Sequence, residues 1–426
     1  MKKVISLFLS VILAAASFSG CGKSNSGFSP SMNTDESLTI RVNGSWSNFQ
    51  ALEAVAAEWN KIYPNVMIDY TATDNYNNVL STLVSGDNPP EIVMIDADGY
   101  YADKDIIIDS LADLSEIGID PNVFTDNVIS GSTVNGKFCV ASWGLLSTGF
   151  VVNDTLLENL GLSVPKTHEE FDAVCAELLK NGYTPVQGCY IDVYKNIMNN
   201  DMKFRLNTTD NVEEIYEKLY SVEKGCGEIF RPEFDKMFEL VASGFIDDNI
   251  NNTISDIYGA SILHFFEGQT PFLAFGSEGF SGMKKRETQS EYYTEHPFEY
   301  EFVSLPIAYD EPVLSVSYIQ GLSIIKNSHN ADWAKEFIRF LCTEEQLSTM
   351  AHVKGVPSVV GNGDDSRFAA IESIPQERTV FPLQNDKIAI IDETFAYTLE
   401  AIAKGDVKDA EEAEQLFESH LGTMVI

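Results

Sequence analysis

Leu38-Thr39-Ile40-Arg41-Val42 opens, and Ile92-Val93-Met94-Ile95 closes, the stretch that decides the fold. The first run alternates apolar and polar side chains, the period of a β-strand. Beyond the loop 43–48, Phe49, Leu52, Ala56 and Trp59 fall on one helical face, and Pro64 ends that helix. Val66-Met67-Ile68 predicts a second strand. Tyr76 to Val84 predicts a second helix, broken by Gly86 and the Pro89-Pro90 pair. Ile92 to Ile95 is wholly apolar, as a strand covered on both faces is. Strand, helix, strand, helix, strand predicts a parallel α/β sheet flanked by helices. Ligands gather beyond the carboxyl ends of such strands. Two loops are thereby placed at a binding edge, Asn43-Gly44-Ser45-Trp46 and Asp96-Ala97-Asp98-Gly99-Tyr100.

Outward toward the C-terminus a second α/β pattern begins near residue 150. Phe150-Val151-Val152 predicts a strand, and Thr167 and Glu170 stand at capping-box spacing ahead of a helix that buries Phe171, Val174, Leu178 and Leu179. Helices are expected around Val212 to Val222 and Pro232 to Ala242, and a strand at Phe272 to Phe275. There are no internal repeats.

Toward the N-terminus, Met1-Lys2-Lys3 precedes an uncharged run from Val4 to Phe18, which predicts a secretory signal over 1–20. That run falls short of the about 20 residues a spanning helix needs. Ser19-Gly20-Cys21 then resembles the bacterial lipobox, with Phe18 where an aliphatic residue is usual. The resemblance implies lipidation of Cys21; the alternative is an ordinary cleaved signal with an incidental cysteine. Gly22 to Ser37 is rich in Ser, Asn and Gly and poor in bulky side chains, so 21–37 is expected to be a lipidated cysteine and flexible tether.

The chain has 426 residues, 44% of them hydrophobic, which is too long for one core and predicts two domains. With 28 basic against 64 acidic side chains its net charge is −36, a poor balance for neutralising nucleic-acid phosphates. Besides Cys21, Cys139, Cys175, Cys189, Cys226 and Cys342 form neither CxxC pairs nor a zinc pattern. At least one thiol is expected to be free, one disulfide is open, and burial as small hydrophobes is the leading reading.

Several segments, taken in order, resemble the extracellular solute-binding proteins of sugar-type ABC importers, the maltose-binding-protein group. They are Asn60-Lys61-Ile62-Tyr63-Pro64-Asn65-Val66, Leu83-Val84-Ser85-Gly86-Asp87-Asn88-Pro89, Asn135-Gly136-Lys137-Phe138 and Val152-Asn153-Asp154, followed by Pro165 to Phe171, Phe266 to Phe272 and Asn330 to Phe337. The resemblance implies an α/β, two-lobed periplasmic-binding-protein-like clamp, each lobe a mainly parallel sheet flanked by helices. Chain crossings are implied near Trp143 to Phe150, Val303 to Ile307 and Gly355 to Ser358. The lobes would be 38–145 plus 306–350, and 148–303 plus 356–426. Implied partners are an oligosaccharide and the ABC permease subunits, with the membrane touched through the lipid anchor only. A monomer on the outer face of the membrane is expected, with no cofactor, metal or nucleic acid.

A sugar presents apolar C–H faces and a ring of hydroxyls, so its site needs flat aromatic surfaces with acids and amides beside them. Trp46, with Asn43 and Ser45, is the candidate on the first edge loop; packing against the next helix is its structural alternative. Asp98 aligns with a sugar-binding acid of the family and Asp96 is its neighbour; capping or a solvated turn is the alternative. Trp143 stands at the first crossing, as a ligand contact or a buried hinge aromatic. Tyr190, Asp192 and Tyr194 fall where the second lobe presents aromatics and acids. In Gly276-Ser277-Glu278-Gly279-Phe280 the family's stacking Trp is missing, leaving Glu278 or Phe280 as substitutes. Trp59 and Trp333 sit on helical apolar stripes and are expected in the core.

A cell-surface glycosidase would need two carboxylates about a bond, which 64 acids supply without specificity. No GxSxG, HExxH or P-loop motif occurs. The chain is therefore expected to bind rather than catalyse, and a polyamine or peptide is the alternative solute.

Overall fold

The computed structural model describes residues 27–95, 103–120, 122–188, 192–248, 259–360, 366–382 and 386–425. Strands β1 (Leu38–Gly44), β2 (Val66–Ala72) and β3 (Ile92–Ile95) are parallel, with β1 between the other two. The expected helices span Gln50–Ile62 and Tyr76–Ser85. Ile40, Val42, Val55, Trp59, Val66 and Ile92 to Ile95 lose essentially all exposure between these layers, burial that contributes about 1.5–3 kcal/mol for each large side chain. Trp59 and Trp333 meet edge to face at 6.5 Å inside this core.

A short hairpin of β4 (Thr133–Val134) and β5 (Lys137–Phe138) leads to the spine of a second sheet, β6 (Leu145–Asn153). The second sheet runs β12 (Thr379–Val380), β10 (Leu314–Tyr318), β6, β8 (Phe272–Gly276), β7 (Val186–Gln187), and β9 (Tyr300–Val303) also pairs with β6. This sheet departs from the mainly parallel expectation. All three neighbours of β6 run antiparallel to it, and only the outer pairs β7–β8 and β10–β12 are parallel. The helix His168–Lys180 starts at the predicted cap: the Glu170 amide donates to Thr167 Oγ1 at 3.2 Å, and Glu170 Oε2 accepts from the Lys166 amide.

Crossings differ in one place from expectation. The chain leaves the second sheet after Tyr318 and enters the first as β11 (Gly321–Ile324), antiparallel to β3. Residues 306–318, expected in the first lobe, carry Ile307, Leu314 and Val316 among the second sheet's layers. The crossing expected near Val303 to Ile307 could not reveal this, because β10 takes its place only through pairing with the distant β6. Three crossing segments lie side by side: the Ile319 amide donates to the Gly144 carbonyl at 3.0 Å, and the Leu145 amide donates to the Pro357 carbonyl at 2.8 Å. Glycine is required at 144, since a Cβ there would come within 2.7 Å of Val356 Cγ2.

The expected free tether is also corrected in part. Phe28 packs edge to face on Phe340 at 5.2 Å, and the Ser31 amide and hydroxyl both donate to Glu336 at 2.7 Å. Glu336, nearly buried on the helix Ala331–Leu341, needs donors, and the polar segment supplies them. Cys21 and 22–26 lie outside the described residues. Cys139, Cys175, Cys226 and Cys342 are buried free thiols, and burial pushes the pKa of each up; Cys189 lies outside the described residues. No helix among the described residues is long and apolar enough to cross a membrane.

Candidate functional site

Two groups of side chains flank the crossings. The first begins where β1 ends. Tyr70, on neighbouring β2, grips the loop backbone: its hydroxyl accepts from the Trp46 amide at 3.1 Å and donates to the Trp46 carbonyl at 2.8 Å. A Cβ at Gly44 would lie 2.7 Å from the Tyr70 hydroxyl oxygen, so a glycine there makes the grip possible. Asn43 donates through Nδ2 to Thr73 Oγ1 at 3.2 Å, while the exposed Ser45 donates to Gln320 Oε1 at 3.0 Å. Gln320 lies between β10 and β11, so this loop touches the crossing directly.

Trp46 is half-buried, with Phe49 at 4.9 Å and Trp143 at 5.9 Å, both near perpendicular to it. Trp143 is 0% exposed, which removes it as a stacking surface in this conformation. Its neighbours are Trp46 and Phe49, so it backs the Trp46 ring from inside the core. Its indole Nε1–H has no hydrogen-bond partner among the described residues. The Lys354 ammonium stands 4.3 Å from the Trp46 ring centroid.

The second group lies on β6, β8 and the helices beside them. Thr148, Asp192, Asn196, Asn199, Lys203 and Glu278 line a pocket of about 440 Å³, with Asp392 and Glu393 on the wall from the helix Asp386–Lys404. A pocket of about 200 Å³ adjoins it, sharing Thr148, Asn199, Lys203 and Glu278 and adding Ser147, Ser315 and Ser317. Its floor strands, β6 and β10, run straight into the crossing at Gly144 and Ile319. Lys203 Nζ pairs with Asp392 at 2.7 Å, yet burial still pushes the Asp392 pKa up. Loss of solvent raises the pKa of Glu278, and the Asp192 charge raises it further. Burial raises the Asp192 pKa too, against the pull of Lys195. Acids held this way accept hydrogen bonds from hydroxyls or donate one when protonated.

Asp192 and Glu278, chosen from sequence 86 positions apart, thus come together in one pocket. Phe280 does not join them: it is 1% exposed and packs on Tyr300, Phe302 and Phe368, because the first turn of its helix faces the β9 layer. Tyr194 is buried, its hydroxyl donating to Asp248 at 2.6 Å. Asp96, Asp98 and Tyr190 lie outside the described residues. Sequence reading missed Lys203, Asp392 and Lys354. Lys203 has no local signal, since its partner is 189 positions away; the run Asn199-Asn200-Asp201, polar yet buried on a helix, was the available hint.

A larger cavity, about 480 Å³, opens between Pro165, Glu301, Pro312, Pro375 and Arg378. None of the groups above lines it, and Arg378 is already committed to Glu311 and the Pro312 carbonyl. The polar pocket beside the crossing is the better candidate.

Residues 52–366 match the family of bacterial extracellular solute-binding proteins. The chain belongs to that family. No curated protein sequence matches it. Among solved structures, apo RafE from Streptococcus pneumoniae aligns with a TM-score of 0.72 and 17% identity over 93% of this chain and 100% of its own. RafE in complex with raffinose gives 0.66 and 17% over 91% and 100%. The cyclic alpha-maltosyl-1,6-maltose binding protein from Arthrobacter globiformis gives 0.61 and 17% over 91% and 98%. These likenesses establish the two-lobed fold of the solute-binding family. Trp46 and Asp392 fall outside the family match, whereas Asp192, Lys203 and Glu278 fall inside it.

Proposed function

We propose that this solute-binding protein captures an oligosaccharide between its lobes and delivers it to the permease of an ABC importer. The observation that carries the reading is the convergence of Asp192 and Glu278 in a hydroxyl-rich pocket beside the crossing, with Trp46 on the opposite side of that crossing. The RafE–raffinose complex and a chitin oligosaccharide binding protein share the fold, which supports a sugar as the solute. The proposed lobes are 38–143 plus 319–359 and 145–318 plus 366–425, following the layers on which these residues pack.

In this mechanism a pyranose C–H face stacks on Trp46, and Asp192, Glu278 and Asn199 accept or donate hydrogen bonds at its hydroxyls. A ligand that touches both lobes stabilises the closed arrangement in proportion to its extra contacts there. Isothermal titration calorimetry of Trp46→Ala and Glu278→Gln against raffinose, malto-, xylo- and chito-oligosaccharides tests the site. Each variant is expected to weaken the best sugar by tenfold or more, about 1.4 kcal/mol; unchanged affinity in both overturns the assignment. The acids also suit a polyamine, so spermidine belongs in the panel, and spermidine binding without any sugar binding would replace the substrate class.

The anchor completes the proposal: Cys21 is lipidated and the protein stands as a monomer on the outer membrane face. Cys21→Ser is expected to move the protein from the membrane fraction to the medium or periplasm. Retention on the membrane would contradict lipid anchoring.

A further inference from the structure

Lys354 ends the helix Glu344–Lys354, and Gly355, at φ +73°, turns the chain toward the crossing. Its ammonium lies 4.3 Å from the centre of the Trp46 ring and is half-buried. No carboxylate, carbonyl or hydroxyl among the described residues accepts a hydrogen bond from it. In a chain with 64 acids and 28 bases, a half-buried cation with no counter-ion among the described residues stands apart. Lys203, in the pocket of the second lobe, is by contrast paired with Asp392 at 2.7 Å. The ring face offsets part of the cost of an unpaired charge, yet burial still drives the Lys354 pKa down, so the surroundings on balance disfavour the charge. A group from outside that brought a negative charge to this point would remove that cost and form a charge-assisted hydrogen bond.

We infer that Lys354 reads a carboxylate on the sugar unit that stacks against Trp46, which makes the solute an acidic oligosaccharide containing a uronate. The inference rests on the proposed role of Trp46 as a sugar platform. Four methylenes let the ammonium swing from above the indole to the edge of a stacked ring, where the C6 carboxylate of a uronate lies. Neutral sugars would leave the ammonium both displaced from the ring and unpaired, so Lys354 selects against them. The acids of the second-lobe pocket are on the other side of the crossing and serve the hydroxyls of the remaining units.

The test is calorimetric titration of the full mature protein with matched pairs: trigalacturonate against galactotriose, and glucuronate-containing against plain xylo-oligosaccharide. Wild-type protein is expected to favour one uronate ligand at least tenfold over its neutral partner, a preference that shrinks with added salt. Lys354→Met is expected to lose that preference, by weaker uronate binding and unchanged or tighter neutral-sugar binding, and Lys354→Arg to retain it. Thermal midpoints of both variants confirm that they fold. Equal binding of both members of each pair by the wild type, or an undiminished uronate preference in Lys354→Met, overturns the inference and leaves the oligosaccharide reading intact. Absence of binding by any sugar in these series and in the neutral panel above overturns both.

Discussion

Trp46, on the first edge loop, and Trp143, at the first crossing, both read as ligand candidates within two residues of a glycine, and the fold gives them different duties. Trp46 stays half-buried, its backbone held by the Tyr70 hydroxyl at the end of β1 and its ring beneath the Lys354 ammonium. Trp143 is drawn wholly inside, behind Trp46 and Phe49. Exposure is a property of what packs above a residue, and no local pattern states it. Glu336 shows the same limit from the other side. Burial alone would raise its pKa, but donation from the Ser31 amide, Tyr63, Arg339 and the Ser31 hydroxyl outweighs burial and brings it to about 2. A carboxylate whose folded pKa lies below its unfolded value stabilises the fold above the unfolded pKa, here 4.5, and loses that contribution as pH falls toward about 2. Glu336→Gln is therefore expected to cost on the order of 2–3 kcal/mol at pH 7 and progressively less below pH 4.5. Urea denaturation across that range measures it, and a cost independent of pH would contradict the assignment. Faster amide exchange in residues 28–34 should accompany the loss.

At the scale of elements, local patterns carried most of the information. The β1–β3 strands, their two helices, the capped helix at His168 and the helix near Pro232 all lie where period and punctuation place them. Hydrophobic period and caps act within a dozen residues, so they survive any tertiary context. What escaped reading was pairing: β9, β10 and β11 are short, and each owes its place to a partner 130 or more residues away. The side-by-side crossing segments were expected in number, but the point where the second one leaves its sheet was not. Gly144 is the element-level device that lets them touch. Gly144→Ala puts a Cβ 2.7 Å from Val356 Cγ2 and 3.2 Å from Ile319 Cγ2. It is expected to cost about 1–3 kcal/mol in chemical denaturation, as overpacking does; an unchanged midpoint would show that the segments are not in close contact.

For the whole molecule, the ordered family-like segments pointed to the clamp, and the match over residues 52–366 bears out the solute-binding family. The candidate site is only half legible in the sequence. Asp192 and Glu278 were picked from sequence and share a pocket, while Phe280 went to the core and Lys203, Asp392 and Lys354 were missed for want of any local mark. Sites assembled at a crossing draw residues from both ends of the chain, so single segments can name members but not the constellation. In the proposed mechanism one sugar bridges Trp46 and the Asp192–Glu278 pocket and thereby closes the lobes. Small-angle X-ray scattering of the protein titrated with its tightest oligosaccharide tests this most directly. A radius of gyration that falls on saturation in the wild type, and stays constant in Trp46→Ala and Glu278→Gln at the same sugar concentration, is the predicted result. A radius that does not change while calorimetry shows the wild-type site to be full would contradict it.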